Sequence, residues 1–208
     1  MLCLEFLVLF IGMPLAYRFS PRPIPALPVL WLVALYCYWQ LRRGPSFSSV
    51  LLWNPRAAEA QLSSILVCFL LSAPIIGLIV RFAAPELLFS FVRTRPRLWA
   101  LVMVLYPILS VYPQGIIYRS FLMHRYASLA PSKLALVILS ATAFAFMHII
   151  FRNPLAVTLT FAGGLLFAWR YYITGSLFTS AFEHALYGCW LFTIGLGQYF
   201  YHGRIAIK

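Results

Sequence analysis

The sequence predicts an all-α protein, built as a polytopic bundle of transmembrane helices. Of its 208 residues, 63% are hydrophobic and only 10% are charged, and the mean hydropathy is +0.89. A soluble domain is about half apolar and about a quarter charged. Long apolar runs alternate with short breaks that are rich in arginine and proline. This alternation is typical of a chain that crosses a membrane several times.

The net charge of +12 does not indicate nucleic-acid binding. Most arginines lie in the short breaks between apolar runs, where basic residues anchor loops near lipid headgroups. We therefore expect contacts with membrane lipids and none with nucleic acid. The cysteines are widely spaced within apolar runs, which is neither a metal motif nor a disulfide framework; they are Cys3, Cys37, Cys68 and Cys189.

A span needs about 20 apolar residues, and we predict seven of them. They cover residues 2–17, 26–41, 62–82, 98–122, 133–151, 155–173 and 176–200. Six or eight spans are alternatives, because residues 84–97 alternate apolar and basic side chains and are expected to lie in the interface plane. The first run lacks a basic n-region and a cleavage site, so we interpret it as a span and not as a signal peptide.

These spans divide the chain into three parts. Residues 1–97 form N-terminal membrane helices with the interfacial segment, residues 98–200 form a second helical domain, and residues 201–208 form a basic tail. Lysines and arginines in the predicted loops number nine on one side and six on the other, with Arg170 among the six and Arg119 left inside the membrane. The excess weakly favours an outside N-terminus.

The fourth span carries polar residues at membrane depth, where they are expensive and usually functional. Gly115 and Arg119 share a helix face, as do Gln114 and Tyr118, because each pair is four residues apart. An unpaired guanidinium there costs roughly 2.5–3.5 kcal/mol on insertion scales. A carboxylate or the C-terminus of a substrate is the expected partner of Arg119. The alternative is that Arg119 snorkels to a nearby interface.

Two later spans each carry a histidine. His148 lies in the fifth span, one turn after Phe144. In the seventh span Glu183 precedes His184, and Gly188, one turn later, is expected to leave open space beside the imidazole. Ionisable groups inside a membrane tend to face a cavity. Together with Arg119, the histidines predict a polar pocket formed by three helices.

The sixth span carries small residues at four-residue intervals, Thr160, Gly164 and Ala168. Such a stripe lets two helix backbones approach closely in lipid. We expect it to serve packing.

The three polar segments, in this order and spacing, resemble the motifs of the CPBP family, which comprises CAAX-box proteases, bacteriocin-processing enzymes and related immunity proteins. The family's motifs are Glu-Glu-x-x-x-Arg, then Phe-x-x-x-His, then His followed four positions later by Asn or another polar residue. Residues 114–119 (QGIIYR) lie on the first motif, and residues 144–148 (FAFMH) match the second in full. Residues 184–188 (HALYG) match only the histidine of the third. The resemblance covers about residues 98–200.

The resemblance implies a glutamate-dependent or metal-dependent intramembrane endopeptidase. His148 would help activate water, His184 would stabilise the oxyanion, and Arg119 would brace the first-motif helix or bind a carboxylate. This is general-base catalysis with preorganised donors in a dry site. The implied substrates are membrane-associated peptides or proteins, and the implied location is a cell membrane, the plasma or inner membrane in a prokaryote.

The chain departs from the family at Gln114 and Gly115, where the family has glutamates, and at Gly188. The general base is then His148 or Glu183, although Glu183 lies about 100° round the helix from His184. Loss of a general base typically costs a factor of about 10² to 10⁴ in rate. A non-catalytic binding or immunity protein is therefore the alternative function.

Two further interpretations stay open at this stage. Two histidines are one ligand short of a catalytic zinc site, which Glu183 could complete. A small transporter could use Arg119, His148 and His184 to line a pathway, but the sequence has no internal repeat and no matched pair of broken helices.

Overall fold

The computed structural model describes residues 2–22, 24–44 and 47–200, which form helices and connecting turns without a strand. The helices of this part of the chain are α1 Leu2–Phe19, α2 Ala26–Arg43, α3 Pro55–Ala83, α4 Ser90–Thr94, α5 Pro96–Arg125, α6 Lys133–Phe151, α7 Pro154–Thr174 and α8 Leu177–Thr193. The predicted basic tail at 201–208 lies outside the described residues.

The predicted all-α membrane bundle is confirmed. Within the described ranges, four helical stretches are long and apolar enough to cross a membrane: Leu2–Phe19, Ser49–Ala83, Pro96–Arg125 and Lys133–Phe151. The chain is an integral, multi-pass membrane protein. Each of the seven predicted spans falls on one of the long helices, α1 to α3 or α5 to α8. The count of seven stays a prediction, because only four stretches meet the criteria of length and composition.

Asparagine followed by proline starts two of the helices. The Asn54 side chain accepts a hydrogen bond from the amide of Ala57 at 3.2 Å, and Asn153 accepts one from the amide of Leu155 at 2.8 Å. Proline in the first turn suits the helix because its missing N–H would have no partner there. Asn153 lies between the predicted spans 133–151 and 155–173, and there it begins α7. The same chemistry starts α3 at Pro55, before the predicted third span at 62–82.

The small-residue stripe packs α6 against α7, as predicted. A Cβ atom at Gly164 would lie 3.1 Å from Cα of Ala141 and 3.2 Å from Cδ1 of Phe144. The α7 backbone therefore approaches α6 more closely than a side chain at this position would allow. This close approach fixes Phe144 against α7.

Helix α5 departs from regular α-helical geometry in two places. The stretches Pro107–Val111 and Ile116–Phe121 form π-helical turns, which are frequent at functional sites. The second stretch contains Arg119 and is buried along its whole length. It faces the interior of the bundle, whereas α3 exposes large apolar side chains such as Leu70 and Phe82, as a lipid-facing helix does.

Candidate active site in the bundle interior

Arg119 is almost completely buried, with 1% of its surface exposed. Its guanidinium carbon lies 4.4 Å from the centroid of the Phe144 ring and 5.5 Å from that of the Phe167 ring. Among the described residues, Nε, Nη1 and Nη2 have no hydrogen-bond partner. The snorkelling alternative is wrong, because the side chain packs on aromatic rings inside the bundle. The predicted carboxylate partner is not found among the described residues either.

The stacking compensates Arg119 only in part. A cation over an aromatic face is worth about 0.5–2 kcal/mol, whereas a buried donor left without a partner costs about 1–3 kcal/mol and more when it is charged. A guanidinium has five N–H donors. The contacts among the described residues therefore leave part of this cost uncompensated.

His148 has a fixed tautomer. Its Nδ1 lies 2.7 Å from the carbonyl oxygen of Phe144, one turn earlier in α6. A carbonyl oxygen only accepts hydrogen bonds, so Nδ1 carries the proton and the neutral ring keeps its lone pair on Nε2. The ring centroids of Phe144 and His148 are 4.7 Å apart. The imidazole is thus held in the orientation that a base requires.

His184 on α8 stacks on the Phe167 ring and meets the Phe144 ring edge to face. Its ring lies 4.6 Å from the Phe167 ring at an interplanar angle of 21° and 5.5 Å from the Phe144 ring. Its Nε2 lies 3.3 Å from the Tyr106 hydroxyl, and its buried Nδ1 has no hydrogen-bond partner among the described residues.

Phe144 and Phe167 therefore connect all three predicted polar residues. Each ring contacts both Arg119 and His184, and Phe144 also contacts His148. We call these residues and Tyr106 the Arg119 cluster; its members are Tyr106, Arg119, Phe144, His148, Phe167 and His184. Four helices contribute to it, α5 to α8.

The space predicted beside Gly188 is occupied. A Cβ atom at this position would overlap the hydroxyl, Cε1 and Cζ of Tyr106. The prediction of open space is therefore wrong, because the Tyr106 side chain from α5 enters the volume that a side chain at 188 would take.

The first-motif positions present no acid to the cluster. A Cβ atom at Gly115 would lie 2.6 Å from Cδ1 of Leu177, a side chain with 0% of its surface exposed. Gln114 donates from Nε2 to the Ser110 hydroxyl on its own helix at 2.7 Å. Leu177 thus fills the place of one family glutamate, and an amide that is turned to Ser110 stands in the place of the other.

Glu183 is fully buried, and its carboxylate pairs with an arginine of α7. Its two carboxylate oxygens accept hydrogen bonds from Arg170, from Nε at 2.8 Å and from Nη2 at 3.0 Å. Nη1 of Arg170 also donates to Gln61 at 2.6 Å and to Ser64 at 3.2 Å, both on α3. Both carboxylate oxygens are therefore engaged by Arg170. The sequence predicts Glu183 as an alternative general base. In the structure its carboxylate belongs to this ion pair.

The predicted loop position of Arg170 is wrong. The side chain is 4% exposed and lies within α7, paired to Glu183 inside the bundle. Without it, the loop cations of the predicted topology number nine against five. The outside location of the N-terminus stays a prediction.

The donor set does not fit the zinc alternative. Glu183, the residue that could complete the set, is occupied by Arg170. Within the described part of the chain, no three His, Cys, Asp or Glu side chains are placed to hold one metal ion. A catalytic zinc site needs three protein ligands.

Sequence reasoning missed Tyr106 and Phe167. Neither residue belongs to a motif, and both resemble ordinary apolar filling of a membrane helix. Gly188 was the one available signal for Tyr106, because a glycine on a buried helix face often marks the close approach of another group.

Residues 96–190 match the family model described as Type II CAAX prenyl endopeptidase Rce1-like. The match starts at the first residue of α5 and ends within α8, so it contains the whole Arg119 cluster. No curated protein and no solved structure is significantly similar to the chain. The family resemblance drawn from the three motifs is confirmed for residues 96–190, the family region, which are CAAX-protease-like; the chain as a whole is an integral membrane protein.

Proposed function

We propose that the protein is an intramembrane endopeptidase that cleaves membrane-associated peptides or proteins, with His148 as the general base. One observation carries the proposal. A buried guanidinium that has no hydrogen-bond partner among the described residues shares an aromatic ring, that of Phe144, with a histidine whose Nε2 keeps its lone pair. Peptide hydrolysis needs this combination of a base and unoccupied donors.

The reaction follows from these groups. Nε2 of His148 takes a proton from water, and the resulting hydroxide attacks the peptide carbonyl carbon. The negative charge that develops on the carbonyl oxygen is stabilised by the N–H groups of Arg119 and by His184. The C–N bond then breaks, and the proton on His148 passes to the leaving amine. Each donor of this kind typically contributes a factor of about 10² to 10³ in rate.

Burial makes the donors effective. In a site that excludes water, an oxyanion interacts with a fixed guanidinium more strongly than it does in solution. Arg119 has no carboxylate partner among the described residues, so its charge is not neutralised before the substrate arrives. The same charge would favour a substrate with a carboxylate near the cleaved bond.

A second candidate function is non-catalytic peptide binding, including immunity-type binding. Leu177 and Tyr106 favour it, because they fill the volumes of two family side chains, one of which is an acid in the family. Such a protein would hold the carboxylate of a peptide against Arg119 without cleaving it.

The test compares membranes that contain the native protein with membranes that contain His148→Gln, Arg119→Met or His124→Gln. New peptide termini are identified across the membrane proteome by mass spectrometry. We expect termini with the native protein and with His124→Gln, since His124 packs on Phe47 outside the cluster. We expect none with His148→Gln or Arg119→Met.

The binding function predicts a different result. Termini would then be absent from every sample, while peptides crosslinked to the native protein would be lost in Arg119→Met and kept in His148→Gln. Termini that persist in His148→Gln would exclude His148 as the base.

A further inference from the structure

Tyr106 reaches the Arg119 cluster from the N-terminal half of α5. Its hydroxyl lies 3.3 Å from Nε2 of His184, and the two rings meet edge to face at 6.3 Å. The Phe192 ring also packs against the tyrosine, with the ring centroids 5.2 Å apart. The phenol is therefore positioned by packing, and its polar end is directed at one nitrogen of His184.

Tyr106 also excludes a side chain at position 188. Because a Cβ atom there would overlap the phenol, the glycine and the tyrosine depend on each other. A residue one turn after His184 on the same face would otherwise be the natural hydrogen-bond partner of the imidazole. In this chain the partner comes from another helix.

The volumes beside Gly115 and Gly188 are filled by different kinds of chemical group. The volume beside Gly115 is filled by an apolar side chain, Leu177, whereas the volume beside Gly188 is filled by a hydroxyl. Packing alone would be satisfied by phenylalanine at 106. The hydroxyl at hydrogen-bond distance from His184 points to a role in orienting that histidine.

We propose that Tyr106 is the positioning residue of His184, donating its hydroxyl proton to Nε2 and so fixing the neutral tautomer with its proton on Nδ1. The consequence for catalysis rests on the proposed function; the tautomer does not. With Nε2 as acceptor, Nδ1–H is a buried donor that has no partner in the part of the chain that the structure describes. The guanidinium of Arg119, in the same cluster, has none there either.

The opposite tautomer fits the contacts less well. It would make Nε2 the donor and the phenol oxygen the acceptor. The Tyr106 O–H would then have no acceptor among the described residues. With Tyr106 as the donor, the phenol proton is satisfied by Nε2.

The experiment records ¹⁵N spectra of histidine-labelled protein in lipid nanodiscs, where the protonated and unprotonated nitrogens of a neutral imidazole are resolved. His184→Gln assigns the signals of His184. Tyr106→Phe removes only the hydroxyl. Tyr112→Phe is the matched control, because Tyr112 lies on the same helix and donates to the carbonyl of Leu52 at 3.2 Å.

We expect native His184 to be protonated at Nδ1, Tyr106→Phe to convert it to a mixture of tautomers, and Tyr112→Phe to leave it unchanged. The double variant Tyr106→Ala/Gly188→Asn offers the imidazole a new amide partner from position 188 and should restore a single tautomer. Where cleavage is measurable, Tyr106→Phe should lower kcat by about tenfold or more, less than the roughly 10²- to 10³-fold loss of a direct oxyanion donor. KM should change little.

Two results would overturn the inference: native His184 protonated at Nε2, or a Tyr106→Phe spectrum identical to the native one. A native protein that cleaves nothing, but whose His184 tautomer depends on Tyr106, would contradict the proposed function and support the inference. Normal cleavage by Tyr106→Phe, with an unchanged His184 tautomer, would support the proposed function and contradict the inference about Tyr106. Thermal unfolding of the two tyrosine variants checks that both are folded.

Discussion

Arg170 and Glu183 form a bidentate ion pair in the interior of the bundle, with hydrogen bonds of 2.8 Å and 3.0 Å. The pair joins α7 to α8, and the remaining nitrogen of the guanidinium joins both to α3 through Gln61 and Ser64. The family region at 96–190 is thereby tied to a helix that lies outside it. Buried pairs of this kind are costly to break, because removal of one partner leaves the other charge unpaired.

We expect Glu183→Ala to destabilise the fold by about 3–5 kcal/mol, since it leaves the Arg170 charge buried without a counter-ion. Thermal unfolding in detergent measures the loss. Glu59→Ala is the control, because Glu59 is an exposed carboxylate on α3 and should have little effect. The double variant Glu183→Leu/Arg170→Met removes both charges and should recover most of the stability. If it folds but loses cleavage, Glu183 acts in the reaction and not only in the ion pair.

Arg119→Met should have the opposite effect on stability. The native guanidinium is buried and its nitrogens lack partners, so an apolar side chain of similar length removes an uncompensated charge. We expect a gain of about 1–3 kcal/mol, the cost of one unsatisfied buried group, together with complete loss of cleavage or peptide binding. Unfolding and termini measurements on the same preparation check both. A loss of stability as large as that of Glu183→Ala would mean that Arg119 is structural.

Much of this site could be predicted from the sequence, because polar residues stand out in an apolar chain. Arg119, His148 and His184 were identified for this reason, and the structure brings them together on the rings of Phe144 and Phe167. The all-α membrane fold follows from the same composition.

What the sequence did not reveal depends on contacts between helices. The spacing along α8 indicates that Glu183 lies on a different helix face from His184. It does not indicate that Arg170 on α7 is the partner of Glu183. The sequence shows that positions 115 and 188 are glycines, and beside Gly188 it led to the expectation of open space. The structure fills both places, because helix interiors in a bundle pack without voids. The residues that fill them, Leu177 and Tyr106, are distant in the chain.

The close approach of α7 to α6 supplies the next prediction. Gly164→Ala would place a Cβ atom 3.1 Å from the backbone of Ala141 and 3.2 Å from Phe144. We expect a loss of about 1–3 kcal/mol from overpacking, and reduced cleavage because the Phe144 ring contacts both Arg119 and His148. Gly77→Ala is the matched control, since its Cβ would meet only a ring atom of Trp190, at 3.4 Å. Helix propensity should make that change neutral or stabilising by up to about 1 kcal/mol.

A gain from Gly164→Ala as large as that from Gly77→Ala would contradict the tight contact between α6 and α7. Thermal unfolding of the two alanine variants decides this directly. The measurement does not depend on whether the protein cleaves peptides.

The missing first-motif acid can be restored only if room is made for it. Gly115→Glu alone would drive a side chain into Leu177, whose Cδ1 lies 2.6 Å from the position of the new Cβ. We expect this variant to lose about 1–3 kcal/mol through overpacking and to gain little activity. Gly115→Glu/Leu177→Ala exchanges the leucine methyl groups for a carboxylate, which would have Arg119 one turn away as a counter-ion.

The double variant should therefore fold at least as well as Gly115→Glu and should cleave faster than the native protein, by up to about 10² to 10⁴ if the carboxylate serves as general base. Leu177→Ala alone controls for the cavity. Peptide termini counted in the same membranes measure the rates. A double variant that cleaves no faster than the native protein would mean that His148 already supplies all the base catalysis the site can use. Termini that appear only in the double variant would instead identify the native chain as a binding protein. It would then be inactive because position 115 lacks an acid and Leu177 occupies the space beside it.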